Sequence, residues 1–503
     1  MKNLSTYIAV MTLSAFVFYH AHAQEAAGQD SITKQLDKLL ASKDPDDRQL
    51  LDDRLKMLAA SNTEMDMSIA GSYYFKLKNA KASDSVFAAA IHKFPKGLEA
   101  RIKAQQAISQ IKNLEERVKA YDEFVKNFPP DSYRQLPFGE DRLSYDRLRI
   151  NIAIGYARER NIAKAGYYAS LLEADFWKGR AYSDLSNTFY ANGDLVHAGL
   201  YQKKAIENAI PYAEGKLGSS VAAQFAAKSY AGACRTYAQI LYEQLKYSEA
   251  LKYIEMAVQA AKAPSAEFNY IYAEILAAVN RNQEAYTKIE AAVKSGEATE
   301  EMSKLFKVLY VKTKGTNAGL ETYNSAIQKG VIDNLRKRLT KNIISEPAAN
   351  FSLTELYGNR VNLSDFKGKI VILDFWATWC VPCKASFPGM QMAVEKYKND
   401  PNVKFLFIHT WERTTSPTAD AKAYIDDMKY SFQVLMDTKD PETKANKVVD
   451  SYRVVSIPAK FVIDEKGNVR FKLTGFKGSK EAAVDEISMM IDIIKVETQM
   501  IFH

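Results

Sequence analysis

IVILDFWATWCVPCK, residues Ile370–Lys384, sets two cysteines two residues apart directly behind an apolar run. The chain has only 3 cysteines in 503 residues, too few for a disulfide scaffold, so the pair is there for chemistry. Ile370–Phe375 is apolar on both faces except at Asp374, the pattern of a central strand covered by helices on both sides. The turn that follows puts Cys380 at the start of a helix, with Pro382 in the first turn, where a missing N–H does no harm. Phe387, Met390, Val394 and Tyr397 recur at helical spacing and give that helix its core face. A helix N-terminus points unpaired N–H groups at a thiol and favours the reactive thiolate. One turn of helix returns Cys383 towards Cys380, so a mixed disulfide on the first sulfur is open to attack by the second.

Zinc needs four ligands, or three and a water, and neither a second Cys-x-x-Cys nor a nearby His pair exists. Redox chemistry is the expectation, with no metal; a zinc half-site and an inert buried pair are the alternatives. WATWCVPC, the later Ser456-Ile457-Pro458 and a Gly-containing strand beyond it resemble the thioredoxin superfamily. The segment is most similar to the extracytoplasmic TlpA/ResA-like disulfide reductases, over Glu346–Glu497, about a third of the chain. The resemblance implies that Cys380 attacks, Cys383 resolves, and the two form the redox-active disulfide, with no cofactor. Pro458 would be the cis-proline facing the disulfide, and Trp379, Ile457 and Pro458 the substrate-binding positions. Asp374 falls where thioredoxin keeps a buried acid and would take the proton from Cys383; the alternative is a hydrogen-bonded structural acid. Phe405–Thr410 offers it no partner lysine. Ser386 stands where ResA-like members carry a glutamate three residues after the second cysteine.

Around this motif the elements order themselves. Phe351–Leu356 and Arg360–Leu363 read as a hairpin over Tyr357-Gly358-Asn359. Val403–His409 is the next strand, Thr418–Lys429 a helix, Phe432–Met436 a short strand and Glu442–Tyr452 a helix. Ala459–Ile463 and Val469–Leu473 form a terminal hairpin, followed by a helix over Lys480–Val496. Cys380 and the Trp411-Glu412 pair fall at the carboxyl edge of the parallel strands, where ligands sit in such sheets. Trp411 either flanks the substrate groove or packs on its own domain, and His409 reads as a satisfied strand histidine.

From Ser31 to Leu339 the chain is rich in Ala, Leu, Lys, Glu and Tyr, and proline punctuates it. Phe94-Pro95 and Phe128-Pro129 lie 34 residues apart, the tetratricopeptide period. Ala70, Tyr73, Ala82, Val86, Ala89 and Pro95 fit one helix–turn–helix unit. Ala238, Leu241, Ala250, Ile254 and Ala257 fit a second, and Ala273, Leu276, Ala285, Ile289 and Ala292 a third, offset by 35. Weaker units surround Ala165 and Ala198, and Glu214–Ser229 adds or lengthens a helix. Tyr73, Tyr74, Tyr167 and Tyr168 are expected to pack between helices. A solenoid of this kind offers a concave face to a peptide or protein partner; an irregular helical domain without a ligand is the alternative. The fold class is thus multidomain: an all-α, tetratricopeptide-like domain over 24–339, a linker over 340–350 and an α/β thioredoxin fold over 351–503.

Residues 1–23 read as a cleaved secretory signal: Lys2, an apolar Tyr7–Tyr19 and the Ala21-His22-Ala23 cleavage site. Thirteen apolar residues are too short for a membrane helix, so no stable membrane anchor is expected, and the periplasm is the simplest destination. A formal net charge of +8 with no Lys/Arg cluster among aromatics gives no support to nucleic-acid binding. Cys234, in an alanine-rich helical stretch, reads as a buried structural thiol. The leading function is an exported thiol–disulfide oxidoreductase that reduces protein disulfides and is recharged by an unidentified electron donor. The others are a binding scaffold with a redox-sensing domain and a thiol peroxidase. The last needs a threonine three residues before the reactive cysteine, where this chain has Ala377.

Overall fold

In a computed structural model the chain is described over 29–77, 79–133, 142–261, 264–414, 416–440, 445–476 and 479–501. The expected signal segment 1–23 lies outside these residues. Two compact units divide at Ala263/Pro264.

The first unit is helical. It runs α1 (Gln29–Ala41), α2 (Pro45–Ala59), α3 (Glu64–Lys76), α4 (Ala80–Lys93), α5 (Leu98–Ser109) and α6 (Leu114–Asn127). It continues with α7 (Leu143–Arg158), α8 (Ile162–Ser170), α9 (Asp175–Ala191), α10 (Leu195–Ala213), α11 (Val221–Glu243) and α12 (Tyr247–Ala260). Most of these helices pack on their chain neighbours, most extensively from α9 to α12, and α7 also packs on α9. Asn79, Asn113, Asn161 and Asp194 cap α4, α6, α8 and α10 through their side chains, satisfying N–H groups that a helix start leaves open. Phe94 and Phe128, the aromatic halves of the two Phe-Pro pairs, end α4 and α6. The small-residue pattern holds where alanines meet across hairpins: Ala70, Ala165, Ala198, Ala238, Ala250 and Ala257 are fully buried. It slips on α4, where Ala89 faces solvent and Ala90 is buried beside Val86 and Phe87. Tyr73, Tyr74 and Tyr168 pack inside, but Tyr167 is 59 % exposed, touching Tyr168 edge-on. Cys234 is buried in α11, and burial pushes its thiol up to about 11 despite a hydrogen bond with Tyr230.

The second unit opens with α13 (Ala266–Ala278), α14 (Asn282–Lys294), α15 (Glu300–Lys314) and α16 (Leu320–Lys341). Ala273, Leu276, Ala285, Ile289 and Ala292 are all buried along the α13–α14 hairpin. The sheet follows: β1 (Glu346–Pro347), β2 (Ser352–Glu355), β3 (Arg360–Asn362), β4 (Ile370–Trp376), α17 (Val381–Tyr397), β5 (Val403–His409) and α18 (Pro417–Asp427). It closes with β6 (Val434–Met436), α19 (Lys447–Ser451), β7 (Ala459–Ile463), β8 (Asn468–Thr474) and α20 (Lys480–Ile501). Strand order is β1-β8-β7-β4-β5-β6-β2-β3, with β4, β5 and β6 parallel and the rest antiparallel. This is the expected thioredoxin fold with a leading hairpin. The expected helix over Glu442–Tyr452 is shorter: within the described residues Lys447–Ser451 is helical, started where Asp437 accepts the Val448 and Val449 N–H groups. The expected linker 340–350 carries strand β1, which pairs with β8.

Every residue of β4 is buried. Ile370, Ile372 and Trp376 face a core built with α17, α18 and α20, while Val371, Leu373 and Phe375 face α19. Leu339 of α16 is part of the first core, with Ile332 and Leu335 packed beside it. Gly389 lets α17 approach α20: a Cβ there would lie 2.8 Å from the Lys480 carbonyl oxygen and 2.9 Å from the Ala483 Cβ.

Candidate active site

β4 delivers the chain to a short loop, and Cys380 becomes the N-cap of α17, its sulfur accepting the Cys383 N–H at 3.2 Å. Pro382 sits in the first turn. Cys380 and Cys383 are joined by a disulfide. Cys380 is 2 % exposed and Cys383 0 %. On either side of Cys380 in the chain Val381 is 72 % exposed and Trp379 37 %, so the covered bridge has an apolar rim. Ser386 is buried and donates to the Cys383 carbonyl at 2.8 Å.

Asp374 occupies the alternate position between Ile372 and Trp376, so it shares the face that packs against the cysteines. It is fully buried and makes no hydrogen bond in the described residues. Its missing lysine comes from β7: Lys460 lies directly opposite in the antiparallel register, Nζ 3.4 Å from Asp374 Oδ2. Phe405–Thr410, which holds no lysine, belongs to β5 and its end, on the other side of β4. The signal was present in Pro458-Ala-Lys460, but it needs the β4–β7 register. Burial pushes the Asp374 carboxyl up, and Lys460 pulls it back. The loss of hydration outweighs a cation held too far for a short hydrogen bond.

The peptide bond Ile457–Pro458 is cis. Pro458 is buried, and its carbonyl accepts the Gly475 N–H at 2.8 Å; Ile457 packs on the cores of both sheet faces. Trp379 is 37 % exposed, donates its Nε1–H to the Trp411 carbonyl at 2.9 Å, and carries the Arg413 guanidinium 3.7 Å above its ring. The Trp411 side chain packs against the core on the α19 face, its backbone held at φ 49°. His409 is buried and satisfied by Glu412, Nε2 to Oε2 at 3.0 Å.

Glu412 was legible only as a neighbour of Trp411, yet it ties the cysteine loop in place. Its carboxylate accepts the Thr378 N–H at 3.1 Å, the Thr378 hydroxyl and the Arg413 N–H at 2.8 Å. Burial pushes its carboxyl up, but His409, Thr378 and these backbone donors together pull it down to about 2. Among the described residues no cluster of His, Cys, Asp and Glu could hold a metal ion.

Residues 344–472 match the AhpC/TSA family. The thiol-disulfide oxidoreductase ResA of Bacillus thuringiensis subsp. konkukian is 35 % identical over 132 residues, 26 % of this chain and 70 % of that protein. ResA of Geobacillus kaustophilus is 30 % identical over 151 residues, 30 % of this chain and 80 % of that protein. Among solved structures, StoA of Bacillus subtilis is similar at 24 % identity, covering 28 % of this chain and 97 % of its own, with a TM-score of 0.24.

Proposed function

Because the chain belongs to the ResA family of thiol–disulfide oxidoreductases, we propose that it is an exported reductase of protein disulfides working through Cys380 and Cys383. The observation that carries this is a cysteine pair bonded across the first turn of α17, with Cys380 as the helix cap. In the reduced enzyme the Cys380 thiolate attacks a client disulfide and releases one client sulfur as thiolate. Cys383 gives its proton to Asp374 and attacks Cys380; the new bridge forms, and the bond to the second client sulfur breaks. Trp379, Ile457 and Pro458 line the client's approach. Asp374 is suited to this step because its carboxyl is buried on the cysteine face, where loss of hydration favours the protonated form. An electron donor then reduces the bridge.

Residues 1–23 direct export and are removed, placing the enzyme in the periplasm; no helix among the described residues is long and apolar enough to cross a membrane. The helical region over 24–339 is a tetratricopeptide-like array that holds a protein or peptide partner. The test is insulin reduction by the full chain with dithiothreitol as donor, compared with C380S and C383S. Turnover that needs both cysteines is expected. Turnover unaffected by either substitution, or steady consumption of hydrogen peroxide in its place, refutes the proposal.

A further inference from the structure

The loop that follows β5 is tied to the loop that follows β4 beside the cysteine bridge. Glu412 accepts the Thr378 N–H at 3.1 Å, and Trp379 donates its indole N–H to the Trp411 carbonyl at 2.9 Å. The Arg413 guanidinium lies 3.7 Å above the centre of the same indole ring, in stacking contact. Trp379 is thus held along one edge and over one face, immediately before Cys380 in the chain. Arg413 is exposed, and among the described residues its side chain forms no ion pair and no hydrogen bond. The acids that reach this loop are engaged elsewhere. Glu412 is buried against Thr378 and His409, and Asp420 accepts the Thr414 hydroxyl. Lys439 is close enough to Glu412 to feel its charge, a second cation at this edge.

We propose that Arg413 is a specificity residue: carried on Trp379 at the rim of the bridge, it selects client segments with an Asp or Glu beside the disulfide cysteine. The inference rests on the reductase reading above, in which Trp379 lines the client's approach. A guanidinium stacked on a ring keeps its N–H edge outward, and that planar fork matches the two oxygens of a carboxylate. Stacking also fixes the long side chain before the client arrives, so less freedom is lost on pairing. Trp379 and Val381 give the rim an apolar floor, and a charge pair partly shielded from water is screened less by salt than one in the open. Glu412 does not compete for the guanidinium, because its oxygens are already engaged by Thr378, His409 and the Arg413 N–H. A client lysine beside the cysteine meets Arg413 as a like charge and is disfavoured. Arg413 takes no part in the exchange of electrons or protons, which stays with the cysteines; it decides which clients are held over them.

The full reduced chain is given, in single turnover at pH 7, three disulfide-bridged peptides that are alike except that Asp, Asn or Lys flanks each cysteine. Loss of the peptide disulfide is followed after acid quench. The wild-type protein is expected to consume the Asp peptide roughly tenfold faster than the Asn peptide, the size of one charge-assisted pair, with the Lys peptide slower still. R413Q brings the three rates to within about twofold of one another, the spread left by exposed charges alone. R413E inverts the order, and R413K keeps only part of the Asp preference, because an ammonium is a point charge where the guanidinium is a fork. A wild-type protein that does not discriminate among the peptides overturns the inference while leaving the reductase reading intact. So does an R413Q variant that slows all three alike and keeps the Asp preference, since Arg413 would then serve only to support Trp379. Failure of the wild-type protein to reduce any of the peptides overturns both.

Discussion

Replacing Lys460 by Met removes the cation that faces a fully buried carboxylate 3.4 Å away. Two limits bound the cost. If Asp374 stayed charged, losing its partner would cost about 3–5 kcal/mol, the range for breaking one half of a buried ion pair. The carboxyl can instead take up a proton, a form that burial already favours. Uptake limits the loss to about 1.4 kcal/mol for each pH unit between the two variants' carboxyl pKa values. A carboxyl whose folded pKa lies above its unfolded value leaves the fold most stable at low pH, and stability falls as pH rises through the window between them. Removing Lys460 widens that window upward, so the deficit is small near pH 5 and grows towards pH 8. It should be under about 1 kcal/mol at pH 5 and about 2–4 kcal/mol at pH 8. Hydrogen exchange at the β4 and β7 amides reads the opening free energy of this sheet separately from the first unit. The double variant D374N/K460M, which keeps neither charge, should recover most of the loss. A deficit that does not change with pH, or that persists in full in the double variant, refutes the assignment of Lys460 as the partner of Asp374.

Gly389→Ala should destabilise the redox fold by about 1–3 kcal/mol in the same exchange experiment, because the added methyl meets the backbone of α20 and cannot be accommodated by a rotamer change. Leu339→Ala opens a void between α16 and α20 and should cost about 2–5 kcal/mol, read at the amides of β4, a strand that does not contain it. E412Q should cost about 1.5–3 kcal/mol at pH 7 through weakened bonds to Thr378 and His409. That difference should shrink on acid titration between pH 4.5 and about 2, the window in which the wild-type carboxylate takes up its proton.

The cysteine pair, the helix it starts and the buried strand before it were readable because each is a local pattern: spacing, a proline in a first turn, an unbroken apolar run. Lys460 was not, because the residue opposite Asp374 is fixed by an antiparallel pairing whose strands lie 86 residues apart. A lysine inside an apolar strand becomes meaningful only once that register is known. The edge strand Glu346–Pro347 was hidden for a similar reason, since two residues carry no periodicity. Ala89 and Ala90 differ by 100° around α4, and in a run of three alanines side-chain size cannot say which one faces the neighbour. Tyr167 and Tyr168 pose the same ambiguity, and the packing chose the second. Glu412 needed the three-dimensional meeting of two loops, residues 377–380 and 410–413, to show that one carboxylate holds both.

The sulfur bridge lies beneath the surface, with only a sliver of Cys380 in reach. A small oxidant or reductant that arrives by random collision meets valine and tryptophan first. A visitor shaped to that apolar rim, held long enough for its own sulfur to descend to Cys380, is therefore favoured over one that only collides with it. Selectivity, on this view, is written in the shallow ground around the bridge, and the bridge itself is kept insulated between visits.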